Sequence, residues 1–189
     1  MDSKTNPVID AIYNRRSIRS YQDKSVPKET IKTLLSAAVM APSAMNRQPW
    51  RFVVIENKDK IKELYRHVKK QMGLLGYGLR FAEIVKSQDD TVFYGAPLLI
   101  LVSAEKEDQW SRINCGILAQ TLFLTAYSLG LGSCYIGFAN SLNNDAEVLS
   151  DLGIPKEHDI IGALIFGYPS EKKETPQREP KVLKWIERG

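Results

Sequence analysis

A chain of 189 residues with 43% hydrophobic and 25% charged content has the make-up of a globular domain, long enough to bury roughly 70% of the surface its unfolded form exposes. That composition argues against extended disorder away from the termini and removes any need for disulfides or a structural metal. The net charge of +4 and pI near 9.0 fall short of a dedicated nucleic-acid stripe and suit a small anionic ligand equally well.

Residues 1–10 hold Asp2, Lys4 and Asn6 where a signal peptide needs a continuous apolar stretch, so a cytoplasmic location is expected. Val8, Ile9, Ile12 and Tyr13 recur at helical spacing, which predicts a short helix over Val8 to Arg16 that delivers a basic loop. Val26-Pro27 opens a second helix with Ile31, Leu34, Leu35, Ala38 and Val39 on its apolar face, and Pro42 stops it. Trp50 to Glu56 alternates and is rich in β-branched and aromatic residues, the pattern of a strand. Asn57 then caps a helix over Lys58 to about Gly73. Its basic residues are interleaved with Asp59 and Glu63, which reads as a solvated face and not as a nucleic-acid surface.

Three glycines between Gly73 and Gly78, followed by a stretch to Tyr94 with no firm period, predict a mobile segment of the kind that covers active sites. The apolar runs Pro97 to Ser103, Leu131 to Gly137 and Ile160 to Phe166 predict strands buried on both faces. Between them lie a long helix over Asp108 to Leu129 and a shorter one over Asn143 to Leu152, with Asn143 or Asn144 as its cap. Asn114, Gln120 and Thr121 interrupt the most apolar stretch, so it suits a buried helix and not a membrane span. The tail from Ser170 is charged and proline-punctuated, with Val182, Leu183 and Trp185 as isolated apolar anchors that would dock on something, a second subunit being one option. With no repeat, low-complexity segment or linker, the whole of 1–189 is expected to form one domain.

Two clusters carry candidate chemistry. Arg15-Arg16-Ser17-Ile18-Arg19 places three guanidinium groups and a hydroxyl just after a helix, donors suited to phosphate, although a solvated basic turn has the same composition. Ala41 to Trp50 is a loop stiffened by Pro42 and Pro49, in which Ser43, Asn46 and Gln48 offer donors and acceptors suited to the edge of a heterocycle. Taken alone, that loop reads as a turn rich in turn-forming residues. Cys115 and Cys134 lie in apolar stretches and read as buried free thiols. His67 and His158 are too few and too separated for a His-based metal site, and no Gly-x-Ser-x-Gly turn surrounds a serine, which disfavours a hydrolase.

Taken together and in order, the clusters resemble the FMN-dependent nitroreductase family. Arg15, Ser17, Arg19 and Tyr21 match its Arg-x-Ser-x-basic-x-aromatic segment, and Pro42, Ser43, Asn46, Gln48, Pro49 and Trp50 match its Pro-Ser-x-x-Asn-x-Gln-Pro-Trp loop. The likeness continues through Gly95-Ala96-Pro97, Leu129 to Gly132, Ile136-Gly137 and Gly167-Tyr168-Pro169. The resemblance implies an α+β fold with a mainly antiparallel central sheet wrapped by helices, built as an intertwined homodimer with FMN at the interface. It implies that Arg15 and Ser17 hold the phosphate, that Arg16 reaches phosphate or ribityl, and that Arg19 approaches flavin N1 and O2. Pro42, Ser43, Ala44 and Asn46 would come from the other subunit, Gln48 would also bind the cofactor, Ile136 and Gly137 would face the ring near N5, and Arg178 would close on the phosphate. The implied activity is ping-pong transfer of electrons from NADH or NADPH to a nitroaromatic, quinone or other activated small molecule, with no catalytic side chain. Flavin processing, reductive dehalogenation on the same fold, and a non-catalytic FMN-binding module are the alternatives.

Overall fold

The computed structural model describes residues 6–74 and 89–187. Helix α1 spans Pro7–Asn14, and the side chain of Asn6 accepts the amides of Val8 and Ile9 at 3.0 and 3.2 Å. A side-chain acceptor followed by proline in the first turn satisfies the orphan donors and presets φ, which fixes where this short helix begins. Helix α2, Lys28–Ala38, starts after Pro27 and buries Ile31, Leu34 and Ala38. Strand β1, Arg51–Ile55, leads to α3, Lys58–Leu74, whose Lys60 amide is capped by Asn57 Oδ1 at 2.9 Å. Strand β2, Leu98–Glu105, is followed by the central helix α4, Ser111–Ser128. Strand β3, Gly132–Tyr135, a 3₁₀ segment, Gly137–Asn144, helix α5, Ala146–Asp151, and strand β4, His158–Gly167, complete the described elements.

The four strands form one antiparallel sheet in the order β1-β2-β4-β3. Its two central strands are buried on both faces, which is why their sequences are continuous apolar runs. Leu98, Ile100 and Val102 face the layer holding Leu34 of α2 and Leu118 and Leu122 of α4, whereas Leu99 and Leu101 face Leu64 and Val68 of α3. Full burial of each such side chain stabilises the fold by about 1.5–3 kcal/mol. A bulge opposite Val102 and Ser103 leaves Ile161 as the extra residue of β4, so that Ile161 joins the α4 layer and Ile160 the α3 layer. Among the described residues no helix is long and apolar enough to cross a membrane.

One expectation changes. The shorter helix does not start at Asn143 or Asn144: that stretch is 3₁₀, and α5 is capped by Asp145, which accepts the Val148 amide at 3.3 Å. Asn143 is engaged elsewhere, exchanging hydrogen bonds of 3.0 and 2.8 Å with the backbone of Ile160. Residues 75–88 of the segment expected to be mobile lie outside the described residues. Its described end is a tied turn in which Asp90 accepts amides from Val92, Phe93 and Gly95.

Candidate functional site

The basic loop is laid onto β3 by a close approach that only glycine permits. The Ile18 amide donates to the Ser133 carbonyl at 3.0 Å and Ser17 makes a parallel bridge to Ser133. A Cβ at Gly132 would stand 2.8 Å from the Ile18 side chain, well inside contact distance. Gly167, paired with Gly132 across the strands, makes the same room for Tyr21 and Pro97. The Tyr21 hydroxyl then donates to the Ile18 carbonyl at 2.7 Å, closing the loop on itself.

The three guanidinium groups of the loop have different surroundings. Arg15 is half-buried and lies 5.8 Å over the Phe123 ring, with its Nε buried and without a hydrogen-bond partner among the described residues. Burial first, then the charges of Arg16 and Arg178, pull its pKa below the ordinary arginine value. A cation that is desolvated and crowded by two others favours an anion beside it. Arg178, 163 positions along the chain, is thus within electrostatic range of Arg15. Arg16 instead donates to the carbonyls of Tyr13, Arg15 and, at 3.1 Å, Glu174, which makes it a clasp between loop and tail. Arg19 is exposed, its amide donating to Glu171 at 2.6 Å while its guanidinium lies over Tyr94.

The tail supplies a residue that sequence reasoning missed. Lys173 donates to the Ser17 carbonyl at 3.0 Å and pairs with Glu171 at 3.3 Å, so it braces the loop from the side opposite β3. Its sequence signal was only one lysine among several in a charged tail. Beneath the loop, the buried Cys134 thiol donates to the Tyr135 carbonyl at 3.6 Å, and burial raises its pKa.

The second cluster folds around a tight 3₁₀ turn, Ala44–Asn46, and Met45 and Asn46 within it and Gln48 just after it all adopt positive φ, between 47° and 54°. Non-glycine residues in that region store backbone strain of about 1–3 kcal/mol each and need strong local restraint. The restraint is visible: Asn114 Oδ1 accepts the Ala44 amide at 3.0 Å, Ser43 Oγ accepts the Gln48 amide at 3.0 Å, and Gln48 donates to Asn46 at 3.2 Å. Arg47 adds an ion pair with the largely buried Asp108 at 3.6 Å. This turn does not meet the basic loop within the chain. Its anchor Asn114 and the Arg15 neighbour Phe123 are both on α4, two and a half turns or roughly 14 Å apart along the axis.

At the end of β3 the Ile136 amide completes the sheet through the Ala163 carbonyl at 2.8 Å, and Gly137 opens the 3₁₀ segment. A Cβ at Gly137 would meet nothing within 4 Å, so packing does not demand glycine there. What glycine leaves is bare backbone facing open space, where a planar ligand has room to approach.

A profile of the Nitroreductase family matches residues 12–168, a span that holds both clusters and the whole sheet. The chain belongs to the nitroreductase family. Among nitroreductase-family relatives it is 35% identical to a provisionally named NADH dehydrogenase/NAD(P)H nitroreductase of Methanothermobacter thermautotrophicus, over 89% of this chain and 80% of the other. A Bacteroides fragilis nitroreductase solved with bound FMN superposes with a TM-score of 0.87 at 30% identity, covering 97% of this chain and 100% of its own. An iodotyrosine deiodinase of Thermotoga neapolitana is 27% identical over 93% of this chain and 96% of that one.

Proposed function

We propose that residues 1–189 form one FMN-binding domain that transfers electrons from NADH or NADPH to an activated small molecule, a nitroaromatic or a quinone. The observation that carries this is the Arg15 guanidinium at a glycine-walled loop, its buried Nε without a hydrogen-bond partner among the described residues and its charge repelled by Arg16 and Arg178. A phosphate monoester supplies the missing acceptors and charge. Arg15, Ser17 and Arg178 hold it, and Arg16 fixes the tail so that Arg178 arrives.

FMN, when bound, supplies a ring that accepts a hydride at N5 and passes two electrons on. The protein's residues orient and stabilise. The Ile136-Gly137 backbone lets N5 come close, and the exposed Arg19 guanidinium offers positive charge to N1 and O2, where reduction leaves negative charge. No side chain has to act as acid or base. Because donor and acceptor use the same open ring face, the oxidised nicotinamide leaves before the acceptor enters, giving ping-pong kinetics.

The Pro42, Ser43, Ala44, Asn46 and Gln48 turn serves the site of a second subunit. Three features support that homodimer. The turn is far from the basic loop of its own chain, α4 exposes Ile113 and Ile117 on the side away from the core, and Leu183, Trp185 and Ile186 of the tail are exposed together.

Anaerobic titration of flavin-free protein with FMN, followed by stopped-flow mixing with NADH or NADPH, tests the reading. Expected are tight FMN uptake and rapid bleaching of the flavin band, with biphasic turnover toward nitroaromatics and quinones. Absence of FMN uptake would end the proposal, and FMN held without bleaching would reduce it to a binding module. The deiodinase relative favours a second reading, reductive dehalogenation. Release of iodide from an iodinated phenol by the reduced protein, in preference to nitro reduction, would select it.

A further inference from the structure

Tyr94 has positive φ, +56°, and Gly95 follows at +64°. Bulky aromatic residues rarely adopt that conformation. Here it is enforced by Asp90, one of whose carboxylate oxygens accepts the Val92 and Phe93 amides at 3.1 and 2.7 Å and the other the Gly95 amide at 3.1 Å. The Ala96 amide closes the turn on the Phe93 carbonyl at 3.0 Å. The enforced turn delivers the Tyr94 ring beneath Arg19, whose guanidinium carbon lies 5.8 Å from the ring centroid.

Arg19 needs such a support. Its main chain is pinned by the 2.6 Å bond from its amide to Glu171, but among the described residues its guanidinium has no hydrogen-bond or ion-pair partner. A long exposed side chain with no partner samples many rotamers and must lose them to engage a ligand. A ring face below the guanidinium attracts the cation and narrows that sampling beforehand.

We infer that Tyr94 is a positioning residue that steadies the Arg19 guanidinium and thereby makes bound FMN easier to reduce. The inference rests on the reading above that Arg19 faces N1 and O2. When a hydride from the nicotinamide reaches N5, two electrons and one proton enter the ring and negative charge stays near N1; a steadied cation meets that charge at smaller entropic cost. A cation–π contact at an exposed site corresponds to about a two- to fivefold change in the reduction equilibrium. For a two-electron couple that is roughly 10–20 mV.

The test is the reduction potential of the FMN-loaded protein, measured against a reference dye under slow anaerobic reduction. Tyr94→Gly removes the ring at a φ glycine adopts freely, and Tyr94→Asn, also tolerant of this region, replaces it if the glycine variant does not fold. Tyr94→Phe keeps the ring. The Gly or Asn variant should have a potential more negative by the amount above, Tyr94→Phe the wild-type value, and Arg19→Gln a larger negative shift. Combining Tyr94→Gly with Arg19→Gln should give the Arg19→Gln value, because the ring acts only through the cation. If Arg19→Gln moves the potential and loss of the ring does not, or does so equally in both backgrounds, the positioning role is refuted while the placement of Arg19 stands. An unchanged potential in Arg19→Gln would refute that placement and the inference with it.

Discussion

Arg15→Met separates the charge of Arg15 from its packing. Methionine keeps an unbranched stem against Phe123 and removes the guanidinium whose Nε is buried and unpaired. In the flavin-free protein that cation is desolvated and repelled by Arg16 and Arg178, so its loss costs the fold little. With FMN bound, the substitution removes a charge-assisted hydrogen bond worth about 1.5–3 kcal/mol, equivalent to roughly a 10- to 150-fold rise in Kd. Riboflavin, which lacks the phosphate, should change by no more than about twofold. Fluorescence titration of flavin-free protein with both ligands, alongside a thermal scan, reads all three quantities. The FMN preference over riboflavin should collapse by the factor lost for FMN, with the flavin-free midpoint equal to or above wild type. Equal weakening of both ligands would mean that Arg15 shapes the loop without meeting phosphate. A lowered flavin-free midpoint would refute the claim that the cluster is self-repelling.

Gly132→Ala puts a Cβ 2.8 Å from Ile18, an overpacking cost of about 1–3 kcal/mol. It should lower both the thermal midpoint and FMN affinity, and Ile18→Ala in the same chain should restore neither, because the Ile18 Cβ that alanine keeps is itself 2.8 Å away. Burial and then Asp108 push the Cys115 thiol up to about 12, and burial raises Cys134, so a thiol reagent at pH 8 should label neither until denaturant is added. The Asp145 carboxyl is pushed up by burial, but hydrogen bonds from His67, the Val148 amide and Gln71 leave its pKa below the ordinary value. A depressed carboxylate stabilises the fold above its unfolded pKa of about 3.9, and that contribution fades as pH falls through the folded value. Wild type should therefore exceed Asp145→Asn in midpoint at pH 6, and the gap should close toward pH 2; a constant gap would assign Asp145 a purely pH-independent role.

What the sequence revealed follows from which signals are local. Leu98 to Val102 and Leu164 to Phe166 read as buried strands because burial on both faces removes polar residues altogether, and Asn57 and Pro27 mark helix starts because such signals act within three residues. The two clusters of the site were visible as residue types, with their joint meaning supplied by family resemblance. What stayed hidden depends on distant partners. Asn143 looked like a helix cap because nothing local shows that its side chain binds Ile160, seventeen residues on. Arg16 resembled its neighbours in the loop until the Glu174 carbonyl appeared beside it, and Lys173 had no signal apart from Ser17. Tyr94 lay in a stretch without period, and its strained backbone is legible only through the Asp90 carboxylate that holds it.

The clasp between the basic loop and the tail also sets a time order. Arg16 reaches Glu174 and Lys173 reaches Ser17 across separations of 158 and 156 residues, close to the full length of the chain. During synthesis the arginines leave the ribosome well before the segment that braces them. Until that segment emerges, the nascent chain carries these cations without a finished cradle. A chain cut before Ser170 should hold FMN less tightly than the full chain in the same fluorescence titration, because both braces of the loop go with the tail.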